Sequence, residues 1–115
     1  MSRRTRSAAE VKRQIHAPVF AALGDETRLR LVAKLSTGQP CSISQLTAGS
    51  NLTRQAITKH LQVLERANMV HSVRAGRESL FEFDPQPIDK IRTYLDFVSE
   101  QWDETLSRLK TFVER

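Results

Sequence analysis

A single cysteine, Cys41, stands in 115 residues, which leaves no partner for an internal disulfide and no set for a four-cysteine zinc site. Apolar residues never run for the ~18–20 positions a membrane helix needs; the longest run, Ala17 to Leu23, contains Pro18. No charged-then-apolar leader opens the chain, so no membrane partner is expected and the cytoplasm is the expected address. Glycine and proline number only 4 each, against 39% hydrophobic and 27% charged residues, a composition that excludes a disordered chain and fits one globular domain. A Gly-rich phosphate loop, a nucleophile elbow and a cluster of metal ligands are all missing. No enzyme is expected, and no cofactor.

What is abundant is positive charge, and its placement says more than the net of +5. Residues 28–77 hold Arg28, Arg30, Lys34, Arg54, Lys59, Arg66, Arg74 and Arg77 against Glu65 alone, whereas residues 78–115 are net acidic. A basic middle followed by an acidic third implies two surfaces with different partners.

Local signals divide the chain. The first seven residues, with three arginines and no apolar pattern, read as a mobile basic arm ahead of a domain over 8–84. Ser7 with Glu10 predicts a helix start near Ala8, and Pro18 predicts a break or kink near Ala17. Gly24 suits a helix end and Asp25 the cap of a second helix, which buries Leu31, Val32 and Leu35 and stops before Gly38 and Pro40. Ser42 with Gln45 forms a further capping box, opening a short helix that ends near Gly49. Thr53 caps a fourth helix, with Leu52 stapled to Ile57 before the turn and Asn68 as its C-cap. Two short capped helices around a tight turn make a helix-turn-helix candidate.

From Val70 the period falls to two. Val70–Val73 and Leu80–Phe83 flank Arg74-Ala75-Gly76-Arg77-Glu78, a β-hairpin with a glycine in its loop. Pro85 and Pro87 then mark a linker, with Pro87 at the first position of a last helix assigned to 85–115 within the same domain. Ile88, Ile91, Leu95, Val98, Trp102, Leu106, Leu109 and Val113 recur there at spacings of three and four. That stripe is too long for the short helices to bury, so a homodimer is expected through the first and last helices. The residues assigned to its interface are Val11, Ile15, Ile91, Leu95, Val98, Trp102, Leu106 and Leu109.

At ~100° per residue the fourth helix sorts into two faces. Arg54, Gln55, Thr58, Lys59 and Gln62 share a polar face without a carboxylate, and Ala56, Ile57, His60, Leu61 and Leu64 share an apolar one. Arg and Lys donate to guanine, Gln pairs with adenine and the Thr methyl touches thymine, so the polar face suits the major groove. Thr53 joins it as the cap, and Arg74 and Arg77 at the hairpin tip suit phosphates or the minor groove. Double-stranded DNA is the expected partner. His60, midway along the apolar face, reads as a structural histidine.

Two segments carry a further likeness: Val19-Phe20-Ala21-Ala22-Leu23-Gly24-Asp25-Glu26-Thr27-Arg28-Leu29-Arg30-Leu31-Val32 and Leu52-Thr53-Arg54-Gln55-Ala56-Ile57-Thr58-Lys59-His60-Leu61-Gln62-Val63-Leu64. With the wing Arg74-Ala75-Gly76-Arg77 and Phe81, the chain resembles the ArsR/SmtB family of winged-helix repressors over roughly residues 17–84. The resemblance implies a mainly α winged helix-turn-helix with a small β-hairpin, dimeric and bound to a palindromic operator, often in its own promoter. It does not extend to metal sensing. Cys41-Ser42-Ile43 stands where thiolate sensors carry Cys-x-Cys, the last helix has no histidine, and His16, His60 and His71 are scattered. No metal site is assigned and the effector is unknown. Two alternatives stay open: a regulator gated at Cys41 or at a dimer-interface cavity near Trp102 and Phe97, and a winged helix used for protein contacts or RNA.

Overall fold

The computed structural model describes residues 5–114. Four of the seven residues assigned to the N-terminal arm lie outside that range. Of the other three, Ser7 is already the cap of the first helix, its Oγ accepting from the Glu10 amide at 3.1 Å.

Helix α1 spans Ala8–Leu23 without a break at Pro18. The missing proline N–H deprives the carbonyl of Gln14 of its donor, but both residues lie on the exposed side, open to solvent. The predicted break is thereby corrected: the helix is continuous through Pro18. Helix α2, Glu26–Leu35, starts at Asp25, whose Oδ2 accepts from the Arg28 amide at 3.0 Å. A two-residue strand β1, Cys41–Ser42, leads into α3, Ile43–Thr47. Its capping box is complete: Ser42 Oγ accepts from the Gln45 amide and Gln45 Oε1 from the Ser42 amide, at 3.2 and 2.8 Å.

Helix α4, Arg54–Arg66, is capped by Thr53 Oγ1 on the Ala56 amide at 3.1 Å. It ends in a Schellman motif, with Met69 N–H bonded to Leu64 O and Asn68 N–H to Glu65 O. Asn68 therefore lies one residue beyond the cap assigned to it, at φ 60°, and Ala67 is the C-cap. Met69 and Leu64, fully buried, supply the apolar contact that accompanies this ending.

Strands β2, Val70–Ala75, and β3, Glu78–Phe83, pair antiparallel around a two-residue turn, Gly76-Arg77, tighter than the five-residue loop expected. Gly76 at φ 63° supplies the left-handed conformation such turns need. β1 pairs with the other edge of β3, giving the order β1-β3-β2. Leu35, Ile57, Leu61, Leu64, Met69 and Val70 form the fully buried centre, with Leu31, Leu46, Cys41 and Phe81 around it.

Helix α5 spans Gln86–Val113, with Pro87 at its second position rather than its first. The linker is thus only Asp84-Pro85, and Asp84 Oδ1 caps the turn by accepting from the Gln86 amide at 2.9 Å. Its first half packs on α1: Tyr94 lies 4.9 Å from the His16 ring and 6.0 Å from Phe20, and Lys12 Nζ sits 3.8 Å above Phe97.

Candidate nucleic-acid interface

The polar face of α4 is exposed as its periodicity predicts. Arg54, Gln55, Thr58, Lys59 and Gln62 line one concave strip, free of carboxylates. The Thr58 hydroxyl donates to the Arg54 carbonyl at 2.7 Å, so the group it offers outward is its methyl. Arg54 Nη1 donates to Ser44 Oγ at 3.0 Å, tying the start of α4 to α3. Ser44 was not singled out in the sequence, because one serine on a short helix carries no periodic signal.

A second cleft, about 280 Å³, opens between this corner and the wing. It is lined by Ser42, Ile43, Ser44, Arg54, Arg77, Glu78 and Ser79, so Arg54 and Arg77 are brought to one site. Arg74, exposed on β2, lies outside that cleft. Thr53 is exposed and engaged as the cap.

Three other basic residues of the middle zone have partners within the protein, Arg30 only across an exposed ion pair. Arg30 lies 3.7 Å from Glu26, and Lys34 Nζ donates to the Gln45 carbonyl at 2.7 Å. Arg28 is half-buried and spans three helices. Its Nε donates to Ala22 O at 2.6 Å, Nη2 to Ala21 O at 3.4 Å, and Nη1 to His60 Nδ1 at 3.1 Å. His60 is therefore a bonded structural histidine, with Asp25 Oδ2 also 3.8 Å from its Nδ1.

Comparison with known proteins agrees with this geometry. Residues 23–73 match the profile of a helix-turn-helix domain. The chain is 37% identical to YuzN, an uncharacterised HTH-type transcriptional regulator of Bacillus subtilis, over 64% of this chain and 86% of that one. It is 35% identical to the HTH-type transcriptional regulator Rv2034 of Mycobacterium tuberculosis, over 67% and 71% respectively. The structure of an ArsR-like transcriptional regulator from Rhodococcus sp. RHA1 superposes with a TM-score of 0.81 at 34% identity, covering 90% of this chain and 94% of that one. The chain belongs to the ArsR family of winged-helix transcriptional regulators.

In this ArsR-family chain Cys41 is buried in β1, Sγ 3.5 Å from the Gln39 carbonyl, and packs in the core cluster with Leu46. Among the described residues no three His, Cys, Asp or Glu side chains converge on a common point. His71 Nε2 lies 3.1 Å from Asp84 Oδ2. The Gln86 amide, and then His71, hold the Asp84 carboxyl below the usual aspartate range. The Arg28 amide does the same for Asp25, against partial burial and with help from the charges of His60 and Arg28.

Of the residues assigned to a dimer seam, Val11, Ile15, Leu95, Trp102, Leu106 and Leu109 are exposed and Val98 is half-buried. Ile91, at 6% exposure, is already covered within one chain. Phe97 lines a cavity of about 280 Å³ with Lys12, His16, Lys90, Thr93 and Tyr94, but Trp102 does not reach it. No helix among the described residues is long and apolar enough to cross a membrane.

Proposed function

We propose that this regulator is a homodimeric repressor that acts in the cytoplasm on a palindromic operator, its own promoter included, and needs no metal. The observation that carries the reading is the α4 strip: five donors or methyl-bearing side chains on one acid-free face, beside Arg77 of the wing. Thr53, Arg54, Gln55, Thr58, Lys59 and Gln62 face the major groove, while Arg74 and Arg77 meet the backbone. Repression and the palindrome are supported by membership of the family. Independence from metal rests on the lone, buried Cys41 and on a last helix without histidine. Half-sites then lie about one turn, ~10–10.5 bp, or a multiple of it apart.

The test begins with genomic fragments retained by the purified protein, from which the enriched sequence is read for a palindrome. Against that duplex, Arg54→Ala and Lys59→Ala each weaken binding by about 10–100-fold, the loss expected for one base contact. Raising salt from about 50 to 200 mM costs roughly 10³–10⁵ in affinity if 6–10 phosphates are neutralised. Unchanged affinity in both variants removes the reading-helix assignment, and a flat salt response removes DNA as the ligand. A chelator that abolishes binding removes the metal-independent part.

A further inference from the structure

We infer that Arg28 and His60 are positioning residues that set the reading helix against the end of α1, and hence fix the spacing between the two reading helices of a dimer. The inference rests on the operator-binding reading above. The last carbonyls of a helix lack intrahelical donors and favour a cation nearby. α1 has no basic residue in its own last turn. Arg28, from α2, takes that place, with Nε and Nη2 on the carbonyls of Ala22 and Ala21. The guanidinium's remaining arm, Nη1, reaches His60 Nδ1 on the back of α4. One planar group thus joins the end of a scaffold helix to the middle of the reading helix.

The chemistry of that joint is specific. A guanidinium only donates, so in this bond Nδ1 of His60 is the acceptor. Asp25 Oδ2 lies 3.8 Å from the same nitrogen, beyond hydrogen-bond length, so Arg28 is its bonded partner. Packing of α4 does not depend on the joint, because Ile57, Leu61 and Leu64 bury it on their own. Losing the bond therefore leaves the helix folded but free to tilt. A tilt is tolerated by one half-site and penalised by two at fixed spacing.

The experiment measures affinity for four duplexes: the selected operator, two versions with its half-sites moved one or two base pairs apart, and a single half-site. His60→Ala weakens binding to the selected operator by about tenfold, the equivalent of one charge-assisted hydrogen bond. Its half-site affinity and melting temperature stay near those of the parent, and its preference for the parent spacing flattens. His60→Asn, whose Oδ1 can accept where Nδ1 does, restores both affinity and spacing preference. Arg28→Lys, which lacks the fork needed to serve the α1 carbonyls and His60 together, behaves like His60→Ala. The inference is overturned if His60→Ala keeps the full spacing preference, if His60→Asn fails to rescue, or if half-site and operator affinities fall together. A parent protein that shows no preference for paired half-sites overturns the operator reading first, and the positioning role with it.

Discussion

Two aspartates show how single residues in this fold carry charge for a structural reason. Asp25 caps α2 and Asp84 caps the entry to α5, and each carboxyl is held below the ordinary aspartate range chiefly by one backbone amide, of Arg28 and of Gln86. A carboxyl whose folded pKa is lowered adds stability that is complete above the unfolded value of about 3.9 and is lost as pH falls through the folded value. The urea midpoint of the protein is therefore expected to fall between about pH 5 and pH 3 more steeply than that of an Asp25→Asn, Asp84→Asn double variant. Asparagine keeps the capping oxygen and so isolates the charge. Parallel pH profiles for the two proteins would show that neither carboxylate is linked to folding.

At the scale of elements, the wing depends on one turn. Gly76 has φ 63° with open space around the position of a β-carbon, so an added methyl meets no clash and its cost is purely conformational. Gly76→Ala is expected to destabilise the hairpin by about 1 kcal/mol. Amide exchange should then speed up at Ala75 and Glu78 but not at Leu61 or Leu64, and DNA affinity should fall less than in the α4 variants. Faster exchange throughout the core would mean that the wing is not a separate unit of stability. Elements whose signals lie within a few residues were legible in the sequence: the caps at Ser7, Asp25, Ser42 and Thr53 all form the bonds their spacing implies. The acid-free face of α4 was legible for the same reason, as a period of one helix. β1 was not, since two residues carry no period and the strand exists only because β3 offers an edge to Cys41 and Ser42. Nor was the role of Arg28, which looked like one more surface cation. Its partner His60 lies 32 positions away, so the tertiary fold alone brings them together. Pro18 misled for a third reason: proline disfavours a helix without forbidding it, and here the helix runs on through it with both Pro18 and Gln14 exposed.

The whole molecule is too extended for its length. Its radius of gyration is 19.2 Å, against about 13 Å for a compact chain of this size. The excess lies in α5, whose 28 residues extend about 42 Å, while α1 has 16 residues and covers only the first half. Beyond that cover, Trp102, Leu106, Leu109 and Val113 recur on the face that holds Leu95 and Val98 earlier in the helix. A continuous apolar stripe of this length on a single chain calls for a partner, and the dimer proposed above would cover it with a second copy. Because these side chains are exposed within one chain, replacing them leaves the protomer core intact. Trp102→Glu with Leu106→Glu is therefore expected to sediment at the mass of one chain where the parent sediments at twice that mass. Its urea unfolding should lose its dependence on protein concentration, as expected when folding no longer draws on association. Affinity for the paired operator should fall to that for one half-site, while Arg54→Ala leaves the sedimentation unchanged. A parent protein that sediments as a single chain at operator-saturating concentration would remove the dimer, and the exposed stripe would then need a different partner.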